Sequence, residues 1–294
     1  MPDAGAGTVT WGRLAAEAAA ALADAGCESP EVDARRIVEQ ASGYEGAEYH
    51  LALDRPATVR GVAHLDGMVA RRAAGEPLQY VLGRWAFRTL DLLVDRRVLI
   101  PRPETEAVVG HALDELDRMG PGPAVAADLG TGSGAIALSL VAERPRVEVW
   151  ATDQSAAALD VAVANMAGVG TPATRVRVAH GSWYGALPTE LRGRLALVVS
   201  NPPYVAATDD LPPVVRHWEP AAALVSGPTG LEAVAEVVAG ARAWLAPGAA
   251  VVVEIAPHQA GAAVDLALGA GLRDAEVRPD LAGRPRALVA RRPA

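Results

Sequence analysis

Asn201-Pro202-Pro203-Tyr204, closing the apolar run Val198-Val199-Ser200, combines residue types suited to gripping a planar –NH2 group. A carboxamide oxygen accepts hydrogen bonds, and prolyl carbonyls beside it can accept more. Pro202 keeps Asn201 out of the helical region, so the strand stays extended to its last residue. Pro202 and Pro203 have fixed φ and no N–H, which stiffens the turn and ends the sheet. Tyr204 offers a ring to cover the flat face of the group so held. The chemistry is a reaction at an amide or aminopyrimidine nitrogen. Taken alone, the same residues also describe a proline turn after a buried strand.

A second constellation lies upstream. Gly130-Thr131-Gly132-Ser133-Gly134 follows a short apolar strand and precedes a helical pattern, the context in which a glycine loop binds a nucleotide. Glycines let a ligand approach the backbone, and the helix N-terminus offers free N–H groups. The spacing is Gly130-x-Gly132-x-Gly134, unlike the G-x-G-x-x-G of dinucleotide folds. Asp128 precedes the loop by two residues, and Asp153 lies 19 residues after Gly134 at the end of the next strand. A carboxylate there can accept hydrogen bonds from both ribose hydroxyls.

The elements that must position these residues alternate strand and helix from about residue 124 onward, which predicts an α/β sheet. Strands are expected at residues 124–128, 147–152, 175–179, 195–200, 249–255, 272–277 and 286–290. Helices are expected at 135–142, 155–167, 229–245 and 257–268. Residues 8–75 read as a small helical bundle, with Ser29 as N-cap and Pro30 in the first turn of one helix. Tyr80-Val81-Leu82, Trp85-Ala86-Phe87 and Leu90-Asp91-Leu92-Leu93-Val94 read as short strands of one or two hairpins. The domains expected are a helical domain at 1–76, a β-hairpin linker at 77–100 and a larger domain at 101–294. On composition, Leu99-Ile100-Pro101-Arg102-Pro103-Glu104-Thr105-Glu106 is a rigid linker capping the helix that begins near Pro103.

Bulk properties narrow the function. The 294 residues carry a net charge of -8, which argues against a broad basic footprint for nucleic acid. There is no lysine, so Schiff-base chemistry and a P-loop lysine are excluded. One cysteine and scattered histidines leave a metal little to hold it, and none is expected. No apolar run reaches the ~18 residues of a membrane span. Residues 1–5 lack a basic leader segment, so the cytoplasm is the expected compartment.

Asp128-x-Gly130-x-Gly132-x-Gly134, the second acid Asp153 and the strand-ending Asn-Pro-Pro-Tyr, in that order, resemble class I S-adenosylmethionine-dependent methyltransferases of Rossmann-like fold. The flanking residues narrow this further. Gly75-Glu76-Pro77-Leu78-Gln79-Tyr80, Phe87, the run from Ile100 to Glu106, Glu219-Pro220, Glu254-Ile255 with Gln259, and Asp280-Leu281-Ala282-Gly283-Arg284 resemble the peptide-chain release factor glutamine methyltransferases. The resemblance spans about residues 30–290 and revises the reading of the linker: with the hairpin, it is expected to help form the substrate pocket. Ser182 stands where the family often has an aspartate, Ala256 where a glycine is common, and His217-Trp218 where a tyrosine is frequent.

The resemblance implies transfer of a methyl group from S-adenosylmethionine to the side-chain nitrogen of the glutamine in the Gly-Gly-Gln loop of release factors. It implies that Asp128, Gly130, Thr131, Gly132, Ser133, Gly134, Asp153, Trp183 and Asn201 bind the cofactor. Asp153 is matched to the ribose and Trp183 to the adenine. Asn201, Pro202, Pro203 and Tyr204 are expected to hold the glutamine amide, with Phe87 and Arg102 in the pocket wall and Asn201, Pro202 and Tyr204 carrying the catalysis. No general base is evident, and no residue is expected to need a strongly shifted pKa. The partner implied is the release factor, met by a monomer without direct nucleic-acid or membrane contact. Two rivals stay open: an adenine-directed nucleic-acid methyltransferase, and a cofactor-binding scaffold without turnover.

Overall fold

The structure, a computed structural model, describes residues 8–294. Residues 1–5, read above for a leader, lie outside the described residues. The chain divides into two compact units, one running to Gly83 and one from Arg84 onward.

The first unit is helical: α1 (Trp11–Asp24), α2 (Pro30–Ser42), α3 (Ala47–Ala52), α4 (Val59–Ala73) and α5 (Leu78–Leu82). Leu14, Ala18 and Leu22 recur every four residues on α1 and meet Ile37 and Val38 of α2 and Leu65 and Met68 of α4. Each large apolar side chain so buried contributes about 1.5–3 kcal/mol. Thr10 caps α1 by accepting the Arg13 N–H at 3.3 Å. Ser29 precedes α2 as expected, but its side chain makes no capping bond, and Pro30 supplies the first turn.

Tyr80-Val81-Leu82 is not a strand, which corrects the expectation. These residues close α5, whose end carbonyls lack intrahelical partners. The Arg71 guanidinium donates to the carbonyls of Tyr80 at 2.8 Å and Val81 at 3.2 Å. Gly83 then ends the helix at φ +71°.

The second unit opens with a hairpin of β1 (Arg84–Phe87) and β2 (Leu90–Leu93), paired Phe87 to Leu90, and continues into α6 (Pro103–Arg118). Then follow β3 (Ala124–Leu129), α7 (Ala135–Glu143), β4 (Val147–Asp153), α8 (Ala156–Val169), β5 (Val176–His180), β6 (Leu195–Ser200) and a short pair, β7 (Val205–Ala206) with β8 (Val225–Gly227). Helix α9 (Pro213–Trp218) lies between β7 and β8; α10 (Glu232–Trp244), β9 (Leu245–Glu254), α11 (Ala260–Gly269), β10 (Arg273–Pro279) and β11 (Pro285–Arg291) complete the chain.

Seven of these strands form one sheet in the order β10-β11-β9-β6-β3-β4-β5. The β9-β6-β3-β4-β5 portion is parallel and β10 and β11 join antiparallel. Alternating residues serve opposite faces: Ala126, Leu197 and Val199 pack with α6 and α7, while Ala127, Val198 and Val251 pack with α10 and α11. A sheet covered on both faces explains strands that read as continuous apolar runs. Strand order reverses between β3 and β6. Ligands of open α/β sheets bind beyond the carboxyl ends of the strands at such a point.

Candidate active site

Both motifs stand at that reversal, because β3 leads into the glycine loop and β6, its neighbour, leads into Asn201. Beneath the loop, Asp128 is fully buried; one carboxylate oxygen accepts the Thr131 hydroxyl at 2.6 Å and the Ala137 N–H at 3.1 Å. The acid thereby ties the loop to the first turn of α7. At Gly134 φ is +84°, and a Cβ would stand 3.2 Å from Leu138 and 3.4 Å from Ala162. Only glycine suits both the turn and the close approach of α8. From α8, Asn165 donates to the Ser133 carbonyl at 2.9 Å and exchanges bonds with the backbone of Leu93 at 2.7 and 3.0 Å. One carboxamide thus fixes the hairpin and the loop together.

A cavity opens between these strand ends. Gly130, Thr131, Gly132, Ser133, Asp153 and Trp183 line one side, and Asn201, Pro203 and Thr105 line another. Asp153 accepts the N–H of Gly132 at 2.9 Å and of Ser155 at 2.8 Å, which aims its carboxylate along the loop. The Trp183 ring lies against Gly130, where a Cβ would come within 3.3 Å of it. A Cβ on Gly132 would meet nothing within 4 Å, so the loop presents bare backbone to open space. Bare backbone, a helix N-terminus, a strand-end carboxylate and an indole suit an adenosyl group with an amino-acid tail. Ser182, where an acid was expected, also lines the cavity.

Asn201 is held by a chain of buried groups. Its amide nitrogen donates to the Thr105 hydroxyl at 3.3 Å, and that hydroxyl donates to Glu254 at 2.7 Å. The Tyr204 hydroxyl donates to the other oxygen of Glu254 at 3.2 Å. Gln259 donates to the carbonyls of Tyr204 at 3.0 Å and Gly230 at 3.1 Å, pinning the turn from behind. Gly230 sits at φ +77°, and a Cβ there would be 2.6 Å from the Tyr204 carbonyl oxygen, so no other residue fits. Glu219 accepts the Ile100 N–H at 3.2 Å and pairs with the Arg102 guanidinium, which fastens the linker against Pro220 of the cavity wall.

Several expected site residues are therefore placed elsewhere. Phe87 does not line the cavity; it is 1% exposed and packs with Leu92 in the core, because it falls on the inward face of the hairpin. Arg102 is occupied by Glu219, and Tyr204 turns its hydroxyl to Glu254 instead of covering the cavity. Asp128, Gly134 and Pro202 also lie behind the lining. Asp128 and Gly134 act on the shape of the loop.

Two carboxyls have strongly shifted pKa values, which the sequence did not suggest. Burial pushes Asp128 up to about 7 against the Thr131 hydroxyl and the Ala137 N–H. Burial also pushes Glu254 up to about 7 against the Thr105 hydroxyl and the positive charge of Arg286. Burial, with the nearby charge of Glu254, raises the Tyr204 phenol above its ordinary value. Asn165 drew no role from the sequence, Thr105 appeared only within the run expected to help form the pocket, and Glu254 only as part of a motif. A carboxylate ending the apolar run Val251-Val252-Val253 was the available signal. Among the described residues no group of His, Cys, Asp and Glu could hold a metal ion, and no helix is long and apolar enough to cross a membrane.

Comparison with known proteins gives this arrangement a family. Residues 13–83 match the PrmC N-terminal domain and residues 113–230 the methyltransferase small domain. The crystal structure of a methyltransferase from Pyrococcus furiosus, 17% identical, superposes with a TM-score of 0.52 over 76% of this chain and 98% of its own. The second unit accordingly has the Rossmann-like methyltransferase fold. The release factor glutamine methyltransferase of Cereibacter sphaeroides is 40% identical over 93% of this chain and 95% of its own. That of Streptomyces coelicolor is 41% identical, over 94% and 96%. That of Bordetella pertussis is 43% identical, over 89% and 94%. With the glycine loop, Asp153 and Asn201 on adjoining strand ends, the chain belongs to the release factor glutamine methyltransferase family.

Proposed function

We propose that this protein methylates the side-chain amide nitrogen of the Gly-Gly-Gln glutamine of peptide-chain release factors. The observation that carries the reading is the Asn201 carboxamide, which shares one cavity with the glycine loop and Asp153. S-adenosylmethionine supplies an electrophilic methyl group on a sulfonium. The loop at residues 130–134 would hold the methionine part, Asp153 the ribose, and Trp183 the adenine. The Asn201 carbonyl oxygen, whose own nitrogen is committed to Thr105, would accept one N–H of the substrate amide, and a prolyl carbonyl of the turn the other. An amide nitrogen is a weak nucleophile because its lone pair is shared with its carbonyl. Drawing on both hydrogens raises its electron density and aims the lone pair. Placement about 3–3.5 Å from the methyl would make the attack effectively unimolecular. The N–CH3 bond would form as the S–CH3 bond breaks to leave a neutral thioether, and the surplus N–H proton would pass to water.

Phe87 and Arg102 have no direct part in this reading. The helical first unit is the candidate recognition module for the protein substrate. The net charge of -8 supports a protein partner without direct nucleic-acid contact, and a cytoplasmic monomer fits that use. The test is transfer of labelled methyl from S-adenosylmethionine to purified release factor, beside a version with Gln→Ala in its Gly-Gly-Gln loop and beside an adenine-containing oligonucleotide. Label on the intact factor alone is expected. Label on the oligonucleotide alone would restore the adenine-directed reading.

A further inference from the structure

We propose that Thr105 and Glu254 form a positioning pair that fixes which end of the Asn201 carboxamide faces the substrate. This rests on the amide-methylating reading and adds residues to it. A carboxamide has two ends of similar shape and opposite hydrogen-bonding sense. With its oxygen toward the cavity, Asn201 accepts from a substrate –NH2; with its nitrogen there, two donors face each other and binding fails. The choice is made behind it.

Glu254 is fully buried at the end of β9, on the far side of β6 from β3. It receives the Thr105 hydroxyl at 2.7 Å on one oxygen and the Tyr204 hydroxyl at 3.2 Å on the other. A hydroxyl has one proton. With that proton given to Glu254, the Thr105 oxygen presents only lone pairs to Asn201, 3.3 Å away. With Glu254 ionised, the amide nitrogen of Asn201 therefore faces Thr105, and its carbonyl oxygen faces the cavity. Thr105 borders the cavity but is only 4% exposed, and its hydroxyl gives its proton to Glu254 and accepts from Asn201, so it acts through Asn201. Burial works against the acceptor-only carboxylate of Glu254; of the other charged groups facing it, Arg286 from β11 favours that form and Glu104 from α6 opposes it.

The test uses the full chain with Thr105→Val, Thr105→Ser and Asn201→Ala, alone and combined. Thr105→Val keeps the shape and removes the hydroxyl. It should lower kcat for release-factor methylation by ~10- to 100-fold, with the KM for S-adenosylmethionine within about threefold of wild type. Thr105→Ser should recover most of that loss. In the Asn201→Ala background, Thr105→Val should cost almost nothing further, because the two act as a unit. Wild-type kcat in Thr105→Val, no recovery in Thr105→Ser, or full multiplication with Asn201→Ala would each overturn the proposal. If the wild-type protein labels no release factor, the functional reading fails, and melting temperatures decide the pair by themselves. Shifts for Thr105→Val and Asn201→Ala that do not add support the linkage, and strictly additive shifts overturn it.

Discussion

Two buried carboxyls flank Asn201 on either side of β6, Asp128 on β3 and Glu254 on β9. Both are fully buried, both are pushed up to about 7 by burial, and both receive a threonine hydroxyl, at 2.6 Å and 2.7 Å. Their second partners differ. Asp128 takes a backbone N–H, that of Ala137, and so fixes the path of the glycine loop. Glu254 takes the Tyr204 hydroxyl and reaches Asn201 through Thr105, and so fixes side-chain directions. The same buried acid thus shapes a cradle on one strand and aims a functional group on the other. Their loss should be felt in different constants.

The largest effect should come from Asn201 itself. Asn201→Ala is expected to lower kcat ~100-fold or more while the cofactor Kd stays within about threefold. Calorimetric titration and single-turnover transfer measure the two separately, and equal losses in both would merge the two regions into one. Asp128→Ala should do the reverse. Stranding the Thr131 hydroxyl and the Ala137 N–H costs ~1–3 kcal/mol, which should appear as a lower melting temperature and about tenfold weaker cofactor binding. At saturating cofactor its kcat should stay near wild type. Glu254→Ala belongs with Asn201: a drop of about tenfold in kcat with cofactor affinity kept. A cofactor Kd that weakened as much as in Asp128→Ala would erase the distinction.

The positions of the glycine loop and of the Asn-Pro-Pro turn were legible in the sequence because each is written in consecutive residues, from Gly130 and from Asn201, although of the turn only Asn201 and Pro203 line the cavity. Strand limits followed from apolar runs that both faces of the sheet bury, and residues 195–200 form β6 as expected. The supporting residues were not legible because their partners are remote. Thr105 meets Glu254 across 149 positions, Asn201 meets Thr105 across 96, and Asn165 meets Leu93 across 72. No local pattern encodes such pairings. Phe87 and Tyr204 fail for a different reason. An aromatic near a motif reads as a wall of the site, yet here one fills the core and the other anchors to Glu254. Tyr80-Val81-Leu82 has a strand's residue types, but Arg71 satisfies its carbonyls as a helix end.

The smallest effect is on the pH dependence of folding. Asp128 and Glu254 hold protons more tightly folded than unfolded, so stability should fall as pH rises from about 4 toward 7 and level off above. Glu115 has the opposite sign. Burial works against its charge, but Arg291 and Arg118 hold its carboxyl at about 2, so its contribution is present above its unfolded value and lost as pH falls toward 2. Chemical denaturation across pH should show both slopes. Glu254→Gln should remove part of the fall between about 4 and 7 and leave the acid limb intact.

In the proposed function, the Asn201 carboxamide presents a glutamine nitrogen for methylation. The most direct measurement is fragmentation mass spectrometry of release factor after incubation with S-adenosylmethionine and the wild-type protein, with Asn201→Ala in parallel. A single methyl on the side-chain nitrogen of the Gly-Gly-Gln glutamine, lost with Asn201→Ala, is the result predicted. A methyl at another atom, or the same methyl formed as fast by Asn201→Ala, would contradict it.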